Sequence, residues 1–567
     1  MTSIRKRPAR APAADLTAAR LESLIEKLRK DLVARRVRPA FEKLSADRQF
    51  VERLTPEAPR AAALVGQWAI WVDAGFPDSG TLKRVLARFP AKVRARLRLA
   101  EYAQLRLAEG FVAMKDEALG EAIGHLDFVL GLGEEVPEQE TTVMAYFWKS
   151  QCHRKGGDYD AAMAAALEGE RLARELGHDA MAAMLATVEG WLLFQKGRNA
   201  EALATLQAAE AILKETDDDI SLGNILSAYG RVAQAEGEHE RAVEHFAASI
   251  ERFARVHPQH RNLARSLGNL AYVKRLMARQ LRRRIDLNAA QRRRGGGKET
   301  EASGESGTAL GTVRTHFERL QAEALEHLDQ AAAIYRMDRQ RRGEGNLKIT
   351  YGHIFLDNGD FDRAGKEAAV AYELGREKQD FILMARARLL SCMVENAKLE
   401  EGVSENGLAA DPSRHAHLAE RYAVAAVKFA KHTQNQQLLA RTHIWLGLTQ
   451  SNEHFGDMEA ARHSLNLAMG TMKADPYQPH WDDLKTLKMR VIRGGSVDET
   501  LRSWSQGSVG DKTFREISEE FAELIIPKIW EREDRKIARV ARKLSISPKK
   551  VRRILMRTGA IEQRAGN

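Results

Sequence analysis

Residues 190–213 read GWLLFQKGRNAEALATLQAAEAIL, and residues 230–253 read GRVAQAEGEHERAVEHFAASIERF. Aligned on their first glycine, both have Gly seven residues on (Gly197, Gly237), Ala twelve on (Ala202, Ala242) and a small residue nineteen on (Ala209, Ser249). Residues 352–375, GHIFLDNGDFDRAGKEAAVAYELG, keep the offsets with Gly359, Ala364 and Ala371. An earlier copy runs through Gly157, Asp158, Tyr159 and Ala162. A later one carries Gly447, Gly456, Ala461 and Ala468, with two extra residues in its turn. Self-similarity at a fixed period marks a repeat architecture. Each copy is predicted to be a helix, a glycine-containing turn and a second helix, with the small residues where the two axes cross closely. Leu, Phe and Ile at three- and four-residue intervals supply the buried stripe.

The turn sequences GDYDAA, GRNAEA, GEHERA and GDFDRA resemble those of the tetratricopeptide repeat family. The period is longer: Gly190 to Gly230 is 40 residues and Gly230 to Gly268 is 38, against 34 for the family. Longer helices of this kind are similar to the tetratricopeptide-like sensor regions of bacterial regulators. The resemblance implies an all-α, TPR-like α-solenoid superhelix whose concave surface binds a protein or peptide partner. The alternative is that the array only shapes and spaces the molecule. Asn269, directly after Gly268, occupies a position that contacts peptide backbone in the family.

The copy that begins at Gly268 is interrupted. Its expected second-helix alanine arrives as Ala324, about 44 residues late. Between lie a basic run and then GGGKETEASGESGT (295–308), read as flexible. This predicts two helix extensions joined by a disordered tip, a basic helical insertion at 280–312. A smaller insertion, EEGVSENGLAADPSR at 400–414, interrupts the copy starting near Phe381. The organisation read from the chain is a disordered basic tail at 1–15, divergent helical repeats or a cap at 16–140, the solenoid at 141–473, a linker at 474–511 and a small C-terminal domain at 512–567.

The 567 residues are 44% hydrophobic and 29% charged, enough for a large core and incompatible with wholesale disorder. The net charge of +11 is uneven. Residues 1–15 carry +3, residues 274–298 carry +9 and residues 535–567 carry +10, so the remaining chain is near −11. An acidic body with basic attachments is the reading. Two cysteines, Cys152 and Cys392, exclude a disulfide framework and fit a reducing, cytoplasmic setting. No apolar run approaches the ~20 residues that span a bilayer, and the basic N-terminus lacks the apolar stretch of a secretory signal. No membrane association is expected.

The C-terminal stretch FREISEEFAELIIPKIWEREDRKIARVARKLSISPKKVRRILMRTGAIE (514–562) has a different logic. Phe514, Ile517, Phe521, Leu524 and Ile525 make one amphipathic helix, and Ile529 and Trp530 continue its pattern past Pro527. Ile537, Val540, Ala541 and Leu544 share one side of a second. Ser547 is placed to cap a third, with Pro548 at its first position. Val551, Ile554 and Leu555 face inward there, leaving Lys549, Lys550, Arg552, Arg553 and Arg557 outside. This is a helix-turn-helix pattern. The segment resembles the Fis-type helix-turn-helix: VARKLSIS falls on its turn pattern, KKVRRILMRTGAI on its recognition helix and LIIPKIW on its dimerisation helix. Ser545 stands where that family has a turn glycine, Arg535-Lys536 replace its usual Gly-Asn turn, and Pro527 sits within the dimer helix. The resemblance implies duplex DNA binding through 535–567 and leaves a homodimer open. Lys549, Lys550 and Arg553 would reach bases or flanking phosphates, with Arg552, Arg557 and Ser547 nearby. Arg542 and Lys543 would contact backbone, which sets affinity rather than sequence choice. A basic tail docking on the acidic solenoid is the competing reading.

Enzyme signatures fail. GGGK at 295–298 is no P-loop, because Glu299 follows the lysine and Arg292 stands where the first glycine belongs. His239 and His245 are six residues apart, on different helix faces, whereas the zinc-protease motif needs four. Adjacent Cys152 and His153 cannot chelate one ion well. No catalytic residue, cofactor or metal is expected. The expectation is a non-enzymatic, DNA-binding regulator with a partner-binding solenoid. The alternative is a repeat scaffold for complex assembly whose basic segments bind RNA, membrane or acidic proteins.

Overall fold

The computed structural model describes residues 13–294, 303–404, 412–472, 480–494 and 513–561, except 59, 78 and 559. Its regular elements, among these residues, are all helices. The chain divides into two compact units, Met1–Leu487 and Lys488–Asn567. No described helix is long and apolar enough to cross a membrane.

In the first unit the repeats are antiparallel helix pairs stacked side by side. Asp179–Gln195 packs on Asn199–Leu213, Asp219–Glu236 on His239–Val256, and Arg341–Asp357 on Phe361–Glu377. The small residues lie at the crossings. A Cβ on Gly190 would stand 2.6 Å from Leu206 Cγ and 3.3 Å from the Ala202 carbonyl oxygen, and one on Gly230 would stand 2.8 Å from the Phe246 ring. Ala202, Ala242 and Ala364 have no exposed surface. The turns divide their work between neighbours. Gly157 and Gly359 end their helices in the left-handed region, at φ 86° and 80°, where glycine pays no Cβ penalty. Asp158 and Asp360, next in sequence, accept the backbone N–H of Ala161 and Arg363 and start the following helices.

Gly190→Val should cost the array about 3 kcal/mol by overpacking, read as a lowered urea midpoint. Gly124→Ala is the control, since a Cβ there meets nothing within 4 Å, and it should stabilise by up to about 1 kcal/mol.

A further copy lies before residue 140. Leu99–Lys115 packs on Leu119–Gly131, with Gly110 at the crossing, where a Cβ would stand 2.9 Å from Leu126 Cδ2, Ala122 twelve residues on and Glu117 at the turn with φ 62°. Before it, Ala61–Asp73 is buried almost all round, including Trp68 and Trp71.

The copy at Gly268 uses two long helices, Arg261–Arg294 and Ser303–Met337, whose Ala324 and Ala331 are fully buried. Residues 303–308, read from sequence as flexible, begin the second helix; the tip at 295–302 and Lys298 lie outside the described residues. The basic run is partly spent inside the molecule. Lys274 pairs with Glu323 (2.6 Å), Arg275 with Asp357 (2.5 Å), Arg279 with Asp483 (3.9 Å) and Arg283 with Asp482. Along the chain these cations look like a free patch because their partners come from distant helices. In the smaller insertion, Phe381–Ser404 and Pro412–Ala430 are helical and 405–411 lie outside the described residues. The segment read as linker holds a helix, Trp481–Gly494; 473–479 and 495–512 are outside, as are residues 1–12.

The second unit folds three helices, Phe514–Arg532, Ile537–Leu544 and Pro548–Arg557, around Ile526, Val540, Ala541, Val551, Ile554 and Leu555. Pro527 lies inside the first helix without ending it. Ser545 takes the left-handed cap conformation (φ 52°, ψ 40°), the geometry a turn glycine would serve. Ser547 accepts from the Lys550 backbone N–H at 3.2 Å, with Pro548 at the first position of the last helix.

Candidate functional site

The first helix of each pair faces inward, and together they line a cavity of about 480 Å³, within the range of ligand pockets. Register explains which side chains reach it. Six residues before the crossing glycine, successive copies present Asn224, Asn262 and Asn346; one residue after it they present Trp191, Arg231, Asn269 and His353. Asn269, singled out in the sequence, therefore stands in the cavity wall among other amides. Two carboxamide oxygens are held by arginines of neighbouring inner helices: Arg265 donates to Asn224 (2.6 Å) and Arg386 to Asn346 (2.9 Å).

The wall is cationic. Nine Arg or Lys side chains face three carboxylates, Asp73, Glu117 and Asp380. Arg261 pairs with Asp73 (2.7 Å), Arg342 with Asp380 (2.9 Å), and Arg35 with buried Asp218 (2.7 Å). Among the described residues, Arg154, Lys155, Arg231, Arg265 and Arg441 have no carboxylate partner. Arg154 rests on the Trp191 ring (4.6 Å) and donates to Gln151 (3.0 Å). Burial, reinforced by neighbouring guanidinium groups, lowers Arg154 to about 9 and Lys155 to about 7. Burial also raises the Glu117 carboxyl, against the pull of the Arg342 backbone N–H it accepts. Gln195 Nε2 and His353 Nδ1, on residues only 4% and 3% exposed, have no hydrogen-bond partner among the described residues. Composition did not reveal this lumen, because its cations are spread thinly over many helices of a net-acidic body.

The superhelix also closes on itself. Gln340 donates to the Lys115 carbonyl (2.9 Å), Lys115 pairs with Asp338 (3.2 Å), and Arg342 donates to the Lys155 carbonyl. Gln434 N–H donates to the Gly157 carbonyl (2.9 Å) and Asn435 to the Tyr159 hydroxyl (3.1 Å). A seam thus joins turns from early copies to turns some 190–280 residues later, and the groove becomes a chamber.

Residues 221–281 match the tetratricopeptide repeat family. The array is tetratricopeptide-like. No curated protein sequence matches the chain. Solved structures similar to it include a Rap protein complexed with competence and sporulation factor, at 11% identity over 74% of this chain and 99% of that one, TM-score 0.48. A monomeric mutant of IFIT1 with Gppp-AAAA gives 12% over 85% and 94%, TM-score 0.42. The APC/C hetero-tetramer Cut9-Hcn1 gives 12% over 88% and 98%, TM-score 0.25. All three are too distant to bear on ligand or activity. The tetratricopeptide-like architecture is that of a protein-interaction scaffold.

In the second unit, Arg542, Lys549, Lys550, Arg552 and Arg553 are exposed, and none has an ionic partner among the described residues. Lys543 is tied to Glu533 (2.5 Å), and Arg557 to Glu519 (3.3 Å) and Glu523. The Ser547 hydroxyl caps its own helix. The sequence reading assigned all eight residues to DNA contact, by base or by backbone; among the described residues the geometry separates five cations without ionic partners from two paired ones and a cap.

Both cysteines are buried, and burial raises Cys152 to about 11 and Cys392 to about 12, which keeps them protonated and poor nucleophiles. His239 is buried while His245 packs beside Tyr229, so the two do not converge. Among the described residues no group of three or more His, Cys, Asp or Glu is placed to hold a metal ion.

Proposed function

We propose that the protein is a non-enzymatic receptor that holds a peptide segment of a partner in its chamber, and that its C-terminal unit contacts duplex DNA. The observation that carries the first part is the repeated amide register of Asn224, Asn262 and Asn346 along the wall. Asn224 accepts from Arg265 and Asn262, and Asn346 accepts from Arg386 and donates to the Arg342 carbonyl. Each carboxamide has two N–H groups, so every one of the three keeps at least one for the carbonyls of a peptide, and a ligand with repeating amides suits this repeat. Selection of a displayed random peptide library on the full chain should yield binders. Asn224→Leu with Asn346→Leu should weaken them about tenfold or more, one to two hydrogen bonds' worth. A library that yields none overturns the receptor reading.

The second part rests on the five free cations beside a capped helix, since duplex phosphates reward clustered Lys and Arg through counterion release. Reversing Lys549, Lys550 and Arg553 to Glu should lower duplex affinity about a hundredfold or more and flatten its salt dependence, measured by fluorescence anisotropy across ionic strengths. Equal loss on every sequence makes the unit an electrostatic handle; loss of site preference makes it a reader of bases. A full chain that captures partners and ignores DNA leaves the scaffold alternative standing.

A further inference from the structure

Three of the chamber's unpaired cations, Arg154, Lys155 and Arg265, gather at one place. The charged groups acting on Lys155 include Arg154, Arg261 and Arg342, and those acting on Arg154 include Arg265, Arg261 and Arg342. Among the described residues, Arg261 and Arg342 form ion pairs, with Asp73 and Asp380, while Arg154, Lys155 and Arg265 form none. One carboxyl, Glu117, which accepts the Arg342 backbone N–H, shares the field of Lys155 and Arg342. Like charges gathered in a shielded lumen repel one another and gain little from packing. Such a cluster lowers its free energy when an anion enters it. Three separated stretches supply it: Arg154 and Lys155 end an early inner helix, Arg261 and Arg265 begin a middle one, and Arg342 arrives from across the seam, its guanidinium donating to the Lys155 carbonyl. Gln195 and His353, buried with one nitrogen each unpartnered among the described residues, line the same chamber.

We propose that the chamber's ligand is a short acidic peptide whose carboxylates are held at this cluster, by Lys155 with Arg154 and Arg265 on one side and by Arg342 from across the seam, so that the anion site is complete only when the seam is closed. The proposal rests on the receptor reading and names the chemistry of its ligand. A peptide is favoured over a small inorganic anion because the amides continue away from the cluster at repeat intervals. A volume of about 480 Å³ limits the enclosed part to a short segment. An anion bridging Lys155 and Arg342 ties two walls that the chain connects only through the intervening repeats, so occupancy should also hold the seam shut.

The test uses the full chain and a displayed random peptide library. Selected peptides should be enriched in Asp and Glu or depend on a free C-terminal carboxylate. Replacing those groups by amides should weaken binding about ten- to a hundredfold in calorimetry, the range of a charge-assisted hydrogen bond. Lys155→Gln should weaken the acidic peptide by a similar factor and leave its amide analogue unchanged. Lys155 forms no ion pair among the described residues, though its charge acts on Glu117; Arg265→Gln is the second variant if Lys155→Gln fails to fold. Acidic peptide should slow hydrogen exchange at the Arg342 and Gln434 amides, both engaged at the seam. Peptides without acidic enrichment, or indifferent to both variants, overturn the proposal while sparing the receptor. Inorganic phosphate that binds the chamber when no acidic peptide does also overturns it. A library that yields no binder overturns the receptor reading beneath it.

Discussion

Asp218→Leu should destabilise the array by about 3–5 kcal/mol, the cost of leaving a buried charge without its partner. Asp218 has no exposed surface, and the Arg35 side chain is 4% exposed. The carboxylate accepts from Arg35 Nε at 2.8 Å, from the Ser221 backbone N–H at 2.9 Å and from the Ser221 hydroxyl at 2.6 Å. Its neighbour Asp217 accepts the Val37 and Arg38 backbone N–H groups at 2.5 and 3.0 Å. The pair therefore joins the turn after the first helix to the start of Asp219–Glu236, and three donors lose their acceptor together. Arg35→Met combined with Asp218→Leu should recover much of the loss, because apolar packing often matches a buried ion pair once neither charge is stranded. Urea unfolding of the three variants checks this. An Asp218→Leu variant within 1 kcal/mol of the parent would show that this joint does not stabilise the array.

Mild acid should weaken the array as well. Burial lowers His443 to about 4 and holds His353 and His480 well below the usual imidazole range. All three are at most 5% exposed. They stay neutral in the fold, while the unfolded chain takes up protons near pH 6.5. Below that pH the unfolded state binds more protons, so stability falls with pH from about 6.5 toward the folded values. His260 is held well below the usual imidazole range by burial in the same way, and four such groups account for about 5 kcal/mol between pH 7 and 5.5. Glu189 acts the other way. Burial and Glu170 raise its carboxyl to about 7, so it gains a proton in the fold over the same interval and offsets about 1–2 kcal/mol. The histidines win, and a net loss of about 3–4 kcal/mol is expected from urea midpoints at the two pH values. Stability that holds level or rises on acidification would contradict the burial of these rings.

The repeat frame was legible because its constraints are local. Gly190 and Ala202 must be small for one crossing, and Asp158 or Asp360 directly after a glycine both ends one helix and starts the next. The C-terminal helices were legible for the same reason, through Ser547, Pro548 and the apolar spacing. The copy at Gly110 was hidden because Glu117 occupies the turn position where glycine is expected, at a conformational cost that the sequence does not advertise. The chamber's charge was hidden differently. Arg154, Arg231, Arg265 and Arg441 are scattered along an acidic body, and the superhelical winding alone brings them to one wall. The seam pairs Lys155 with Arg342 and Tyr159 with Asn435, residues that no local pattern relates. The free-looking cations at 274–283 misled in the opposite sense, since Glu323, Asp357, Asp482 and Asp483 neutralise four of them.

The most direct test of the central claim, that the chamber is where a partner's peptide is held, is site-specific photo-crosslinking in the full chain. A photoreactive residue replaces Trp191, in the chamber wall, or Leu467, on an exposed surface at 41% accessibility, and peptide selected from the random library is added. The account predicts crosslinks from position 191, competed by unlabelled peptide, and none above background from 467. Crosslinking from 467 with none from 191 would contradict it.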